Sequence, residues 1–141
     1  MKIAIGSDHR GVDLKQALVA YLKKKGHEVE DVGTQSRESC DYPEFALKVA
    51  HKVMGKKADK GILICNSGIG MSMAAGSVKG IRAANCFNLS NARFSREHNN
   101  ANILTLGAEF IEEQKAKRMV NVWLKTKFEG GRHARRVKMF S

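Results

Sequence analysis

The chain has 141 residues, 43% of them apolar and 28% charged, the proportions of a soluble globular protein, and one domain over residues 1–141 is expected at this length. Apolar residues along the whole chain, thirteen glycines and a single proline exclude disorder and collagen-like character, and no apolar run reaches the ~18 residues of a membrane span. The net charge of +11, from 25 basic and 14 acidic residues, favours anionic partners: nucleic acid, acidic lipid or phosphorylated metabolites.

Ile3 to Ile5 reads as a short strand ending at Gly6. It is shorter than the ~7–15-residue core of a signal peptide, so a cytoplasmic location is expected. Leu14, Ala17, Leu18, Tyr21 and Leu22 follow at helical spacing, and Lys23 to Gly26 end that helix with cations and a glycine cap. Val29 to Val32 is a weaker strand. Tyr42-Pro43 opens a second helix with Ala46, Val49, Ala50 and Val53 on one face. Gly61 to Cys65 is the clearest strand, apolar on both faces and therefore expected between two helix layers.

A glycine-rich turn and a small-residue helix run from Asn66 to about Ser77. Ile81 to Phe87 reads as a strand, Ser90 to His98 as a polar helix, and Ile103 to Leu106 as the last strand. The final helix places Ala116, Met119, Val120, Trp123 and Leu124 on one face and is expected to stop at Gly130-Gly131, leaving a basic tail. Strands alternating with helices argue for βαβ units. The expected fold class is therefore α/β: a three-layer sandwich of about five parallel strands with helices on both faces. Such sheets bind ligands beyond the carboxyl ends of their strands. The loops to inspect are 6–11, 33–41, 66–70, 87–91 and 107–110.

Cys65-Asn66-Ser67-Gly68-Ile69-Gly70 carries the strongest chemical signal. A thiol ends a buried strand, and a glycine turn leads into a helix whose first N–H groups attract negative charge. That field favours a thiolate and would stabilise an oxyanion in the same pocket. The competing reading is a small buried hydrophobe. Two phosphate motifs fail here. Met73 stands where a dinucleotide fingerprint needs its third glycine, and no G-K-[ST] triplet exists. Cys40, Cys65 and Cys86 form no C-x-x-C pair, and the five histidines show no H-x-x-x-H spacing, so neither a disulfide framework nor a metal site is indicated.

Ser7-Asp8-His9-Arg10-Gly11 follows the first strand. Asp8 reads as a helix cap, or as a substrate acceptor at the same sheet edge as Cys65. Asp41-Tyr42 offers a further polar contribution, with Asp41 alternatively a cap. His98-Asn99 is either solvated or suited to proton transfer near neutrality. The tail from Gly130 to Arg136 is suited to clamping a phosphate. A nucleic-acid arm is the rival, weakened by the absence of aromatics between Gly130 and Lys138.

Taken together, GSDHRG, DYP, GILICNSGIG, SREHNNANIL and EGGRHARR occur in this order over essentially the whole chain. The set resembles the type B ribose-5-phosphate isomerase family, which also includes galactose-6-phosphate isomerase subunits. The resemblance implies a Rossmann-like fold, interconversion of D-ribose 5-phosphate and D-ribulose 5-phosphate without metal or cofactor, and a homodimer or tetramer with sites shared between subunits. Neither a nucleic-acid nor a membrane partner is expected, and a basic nucleic-acid-binding protein ranks well below the isomerase.

By that resemblance Cys65 is the base that removes the proton beside the sugar carbonyl, and Ser67 stands where threonine is usual. The amides of Asn66, Ser67, Gly68, Ile69 and Gly70 hold the enediolate. His98 opens the sugar ring with Asn99 beside it. Asp8 and His9 match substrate contacts, and the polar contribution read for Asp41 and Tyr42 is placed with them in the substrate site. Arg132 and Arg136 bind phosphate, reaching into a neighbouring subunit's site. Two residues depart from the pattern. Glu109 stands where the family often has a phosphate-binding arginine, so either its side chain turns away or a cation such as Arg10 or Arg135 compensates, and Asn66 replaces a glycine. Isomerisation of another phosphorylated aldose, such as a hexose 6-phosphate, and a non-catalytic sugar-phosphate-binding module are the alternatives.

Overall fold

The computed structural model describes residues 1–141. Five strands form one sheet: β1 (Lys2–Ser7), β2 (Glu28–Asp31), β3 (Lys60–Cys65), β4 (Ala83–Asn85) and β5 (Ile103–Gly107). Their order is β2-β1-β3-β5-β4 and every pairing is parallel. The expected α/β fold is present. The chain reverses its direction of travel across the sheet between β1 and β3, the position where open α/β sheets leave a crevice for ligands.

Side chains alternate across each strand, and the alternation assigns the helices to layers. Ile3, Ile5, Ile62, Ile64, Leu104 and Leu106 pack against α1 (Val12–Lys24), α4 (Leu89–Glu97) and α5 (Glu113–Lys125). Ala4, Leu63, Cys65 and Ile103 pack against α2 (Tyr42–Met54) and α3 (Ile69–Gly76). The run from Ile62 to Cys65 is apolar throughout because each of its faces meets a helix layer.

Three expectations need correction. The strand expected from Ile81 to Phe87 is confined to Ala83–Asn85. It lies on the sheet edge and has only β5 as a neighbour, so its flanks lack a ladder to join. The helix expected to run to Gly130 ends at Lys125, and Thr126 turns extended while its hydroxyl donates to the Val122 carbonyl at 2.6 Å. The basic tail, to which the sequence pattern assigns no element, is helical. A sixth helix, α6, spans Arg132–Lys138, with Val137 and His133 turned inward. The Gly130-Gly131 pair, both at positive φ, allows the reversal that starts it.

An ion pair between a buried lysine and a partly exposed aspartate braces the loop that flanks the carboxyl end of β1. Lys15 of α1 is fully buried and donates to Asp31 at 2.6 Å and to Gln35 at 3.3 Å. Just beyond, Gly33 and Thr34 bond to the backbone of Ser7 at 2.7 and 2.8 Å. Burial opposes ionisation of Asp31. The Lys15 ammonium, the Gly33 amide and Gln35 together outweigh it and hold the carboxyl below its ordinary value of 3.8. A carboxylate depressed on folding stabilises the protein above its unfolded value, and that contribution is lost as pH falls through the folded value. Asp31→Ala strands a buried ammonium and should cost ~3–5 kcal/mol at pH 7. Urea unfolding at pH 7 and pH 3 checks this, with the gap to wild type narrowing at the lower pH.

Candidate active site

Three loops meet at the carboxyl edge. After β1, Asp8 is almost fully buried and Oδ1 accepts from the Arg10 and Gly11 amides at 2.9 and 3.2 Å. The capping reading of Asp8 therefore holds for one carboxylate oxygen. His9 follows, and its Nδ1 accepts the Cys40 amide at 3.3 Å. That bond assigns the ring proton to Nε2. Asp41 occupies the cap position of α2 without making a side-chain capping bond, so its exposed carboxylate is free.

The loop after β3 is built tightly. Gly68 has φ +81°, and a Cβ there would lie 2.3 Å from Asn85 Oδ1, so only glycine fits. A Cβ on Gly70 would lie 2.7 Å from Cζ of Tyr42. The Tyr42 ring thus lies over the glycine loop, which brings 41–42 beside 65–70. Cys65 Sγ accepts the Gly68 amide at 3.1 Å. Ser67 Oγ accepts the Ile69 amide at 3.2 Å. The amides of Asn66, Ser67 and Gly70 make no bond within the chain. They are the unpaired donors expected where a helix begins.

Cys65 is more enclosed than the sequence suggests. It is 5% exposed and packs with Leu63, Met71 and Phe45. The adjoining cavity of 490 Å³ is lined by Ser67, Ile69, Asn85, Phe87, Phe110 and Lys115 among others, and not by Cys65. Cys86 also lines it, but burial pushes that thiol up to about 11, where it is unreactive at neutral pH. Glu109 is exposed near the same loop, with its amide on the Asn66 carbonyl at 3.0 Å. None of the chain's ion pairs engages it.

The remaining candidates lie elsewhere. Asn102 bonds to Gly61 at the amino end of β3, so His98 and Asn99, just before it, belong to the amino edge. Glu129 joins the Glu97 backbone, and His133 of α6 stacks on His98 with ring centroids 4.3 Å apart. Arg132 and Arg136 are therefore at that edge too. Both are exposed and in no ion pair of the chain. Between Gly61 and Cys65 lie four strand steps, about 13 Å at ~3.3 Å each. Asp8, His9, Asp41, Tyr42 and 65–70 form one cluster. His98, Asn99, Arg132 and Arg136 form another, and one chain does not bring the two together.

Sequence reasoning missed Glu129 and His133. Their i,i+4 spacing was the available signal, obscured by the intervening Gly130-Gly131. Ligand atoms of His98, Glu129 and His133 lie within 4.8 Å of one another. The two imidazoles are stacked at 13°, so their in-plane lone pairs run side by side rather than converging on one ion.

Comparison with known proteins decides the family. The family described as Ribose/Galactose Isomerase matches residues 3–140. The chain belongs to this family. Its members thus supply the enzyme class that the sequence resemblance implied, an aldose–ketose isomerase. Ribose-5-phosphate isomerase B of Escherichia coli (strain K12) is 47% identical over 137 residues, covering 97% of this chain and 92% of that protein. The structure of ribose-5-phosphate isomerase B from Clostridium thermocellum is 54% identical with a TM-score of 0.98, covering 99% and 94% of the two chains. The Mycoplasma genitalium ribose-5-phosphate isomerase B, solved with bound ribulose-5-phosphate, is 42% identical with a TM-score of 0.94, covering 98% and 92%. No helix of this chain is long and apolar enough to cross a membrane.

Proposed function

We propose that the protein interconverts D-ribose 5-phosphate and D-ribulose 5-phosphate, with Cys65 as the base and no metal or cofactor. The observation that carries this reading is the sulfur at the end of β3, which accepts the Gly68 amide at 3.1 Å, beside three unpaired loop amides. Sequence similarity to ribose-5-phosphate isomerases supports the choice of substrate.

The chemistry balances without an external reactant. His98 moves the ring-hydroxyl proton and yields the open-chain aldehyde. The Cys65 thiolate takes the proton from C2, and charge develops on the carbonyl oxygen. The amides of Asn66, Ser67 and Gly70 stabilise that oxygen; losing one such donor typically costs ~2.7–4 kcal/mol. A proton passes from the C2 hydroxyl to the C1 oxygen, assisted by Ser67. The thiol returns its proton to C1, giving the ketose and restoring the thiolate. No electron leaves the sugar, so no redox cofactor is needed. Asp8, His9, Asp41 and Tyr42 hold the sugar hydroxyls.

A homodimer completes the site. The amino-edge cluster of one subunit supplies His98, Asn99, Arg132 and Arg136 to the carboxyl-edge cluster of the other. Around the carboxyl edge Ile69, Met73, Phe87 and Phe110 are 52–73% exposed, an apolar patch of the kind that marks an interface. Arg136→Ala should raise KM for the phosphorylated sugar at least tenfold while kcat changes little, because the phosphate is remote from the reacting carbons. Steady-state kinetics with ribose 5-phosphate check this, and an unchanged KM removes the arginine from the phosphate site.

The reading as a whole is tested by a proton NMR time course with chelator present. Ribose 5-phosphate, erythrose 4-phosphate and hexose 6-phosphates are offered in parallel. A relative from Pectobacterium atrosepticum, 40% identical, is a D-erythrulose-4-phosphate isomerase, which makes the four-carbon arm necessary. Faster turnover of a rival reassigns the substrate. Binding without turnover of any of them favours a non-catalytic module.

A further inference from the structure

We propose that His133, held by Glu129, is a positioning residue that fixes the ring plane of His98. The proposal rests on the reading of His98 as the group that opens the sugar ring. His98 is the middle layer of a three-ring stack. Phe94, one turn earlier on α4, lies on one side, with centroids 5.0 Å apart and planes at 23°. His133 is also stacked on His98, at 4.3 Å and 13°. Two flat neighbours restrict tilt of the imidazole out of its plane. A histidine χ2 is otherwise broad and poorly specified, so the stack provides orientation the side chain lacks.

His133 is itself anchored. It is 9% exposed, and its Nε2 lies 3.3 Å from Glu129 Oε2. Its amide donates to the Gly130 carbonyl at 3.1 Å, and the Glu129 amide donates to the Glu97 carbonyl at 3.1 Å. The second of these bonds ties the segment to the last residue of α4, directly before His98. The chain thus returns after α5 to the C-terminal end of α4 and places a ring against the residue that follows it. The positive φ of Gly130 and Gly131, +72° and +54°, permits that return. Arg132 and Arg136 stand on the same short helix. One element therefore carries the phosphate cations and the plate against which His98 is set.

Orientation governs proton transfer steeply, since a misplacement of ~1 Å can cost ~10²-fold in rate. The arrangement makes a split prediction. Turnover from ribose 5-phosphate requires ring opening. Ribulose 5-phosphate has its C5 oxygen esterified and stays open, so exchange of its C1 hydrogen with solvent deuterium requires Cys65 and not His98.

The test compares His133→Ala, which removes the plate, with His133→Phe, which restores a flat ring. Alanine should lower kcat from ribose 5-phosphate by ~10–100-fold while C1 deuterium exchange stays within about threefold of wild type. Phenylalanine should recover most of the lost turnover. Unchanged turnover in His133→Ala, an equal defect in both variants, or exchange falling in step with turnover would each overturn the proposal. If wild-type enzyme shows neither turnover nor exchange, the isomerase reading fails instead, independently of His133.

Discussion

Cys65→Ala is expected to lower kcat by about 10²–10⁴-fold, the usual contribution of a positioned base. No other side chain in the glycine loop can take its place: Asn66, Ser67, Ile69 and Met71 are not bases at neutral pH. The sulfur accepts the Gly68 amide at 3.1 Å, and alanine removes the atom without disturbing that backbone. Substrate affinity should survive, because the proposed contacts of phosphate and hydroxyls lie on other residues. Two measurements check this: turnover of ribose 5-phosphate, and solvent deuterium entering C1 of the ketose. Both should fall together, with the circular dichroism spectrum unchanged. Activity within tenfold of wild type would exclude Cys65 as the base. The enclosure of this sulfur, 5% exposed, sharpens the experiment. A cysteine serving only as core packing would shift stability in urea and leave the rates alone.

Mixing two inactive variants should restore activity. Cys65→Ala damages the carboxyl-edge cluster and His98→Ala the amino-edge cluster. If each site draws one cluster from each subunit, a hybrid dimer has one site with both lesions and one with neither. Random reassociation makes half of the dimers hybrid, so about a quarter of wild-type activity should return, as two-fold symmetry requires. Each variant alone should stay near background. The measurement is turnover after the two proteins are unfolded together in urea and refolded, against each refolded alone. A mixture no more active than its components would mean that each chain builds its site by itself. About 13 Å of strand between the two edges (four steps of ~3.3 Å) argues against that outcome.

Much of the fold was legible in local pattern. The strand Gly61 to Cys65 could be read because it is apolar at every position, and the structure explains why: Ile62 and Ile64 meet one helix layer, Leu63 and Cys65 the other. The helix carrying Ala116, Met119, Val120 and Trp123 was legible from its spacing, since that face enters the core. Its end was not. Thr126 stops it by a side-chain bond to Val122, and Gly130 was the more conspicuous stop signal. The edge strand Ala83–Asn85 was overestimated because periodicity reports apolar character, while strand length depends on having neighbours.

By itself, the sequence determined which residues would follow the strands at one edge. Asp8 and the 65–70 loop needed only a parallel sheet to come together, because every strand of such a sheet ends on the same side. What the tertiary structure decided was the position of everything that is not at a strand's carboxyl end. His98 and the tail arginines are held at the opposite edge by contacts between α4 and the return segment: Glu129 on Glu97, and His133 on His98. These pairings join residues more than thirty positions apart. Spacing along the chain cannot encode them, because they depend on where the sheet order β2-β1-β3-β5-β4 sets α4 relative to the returning chain.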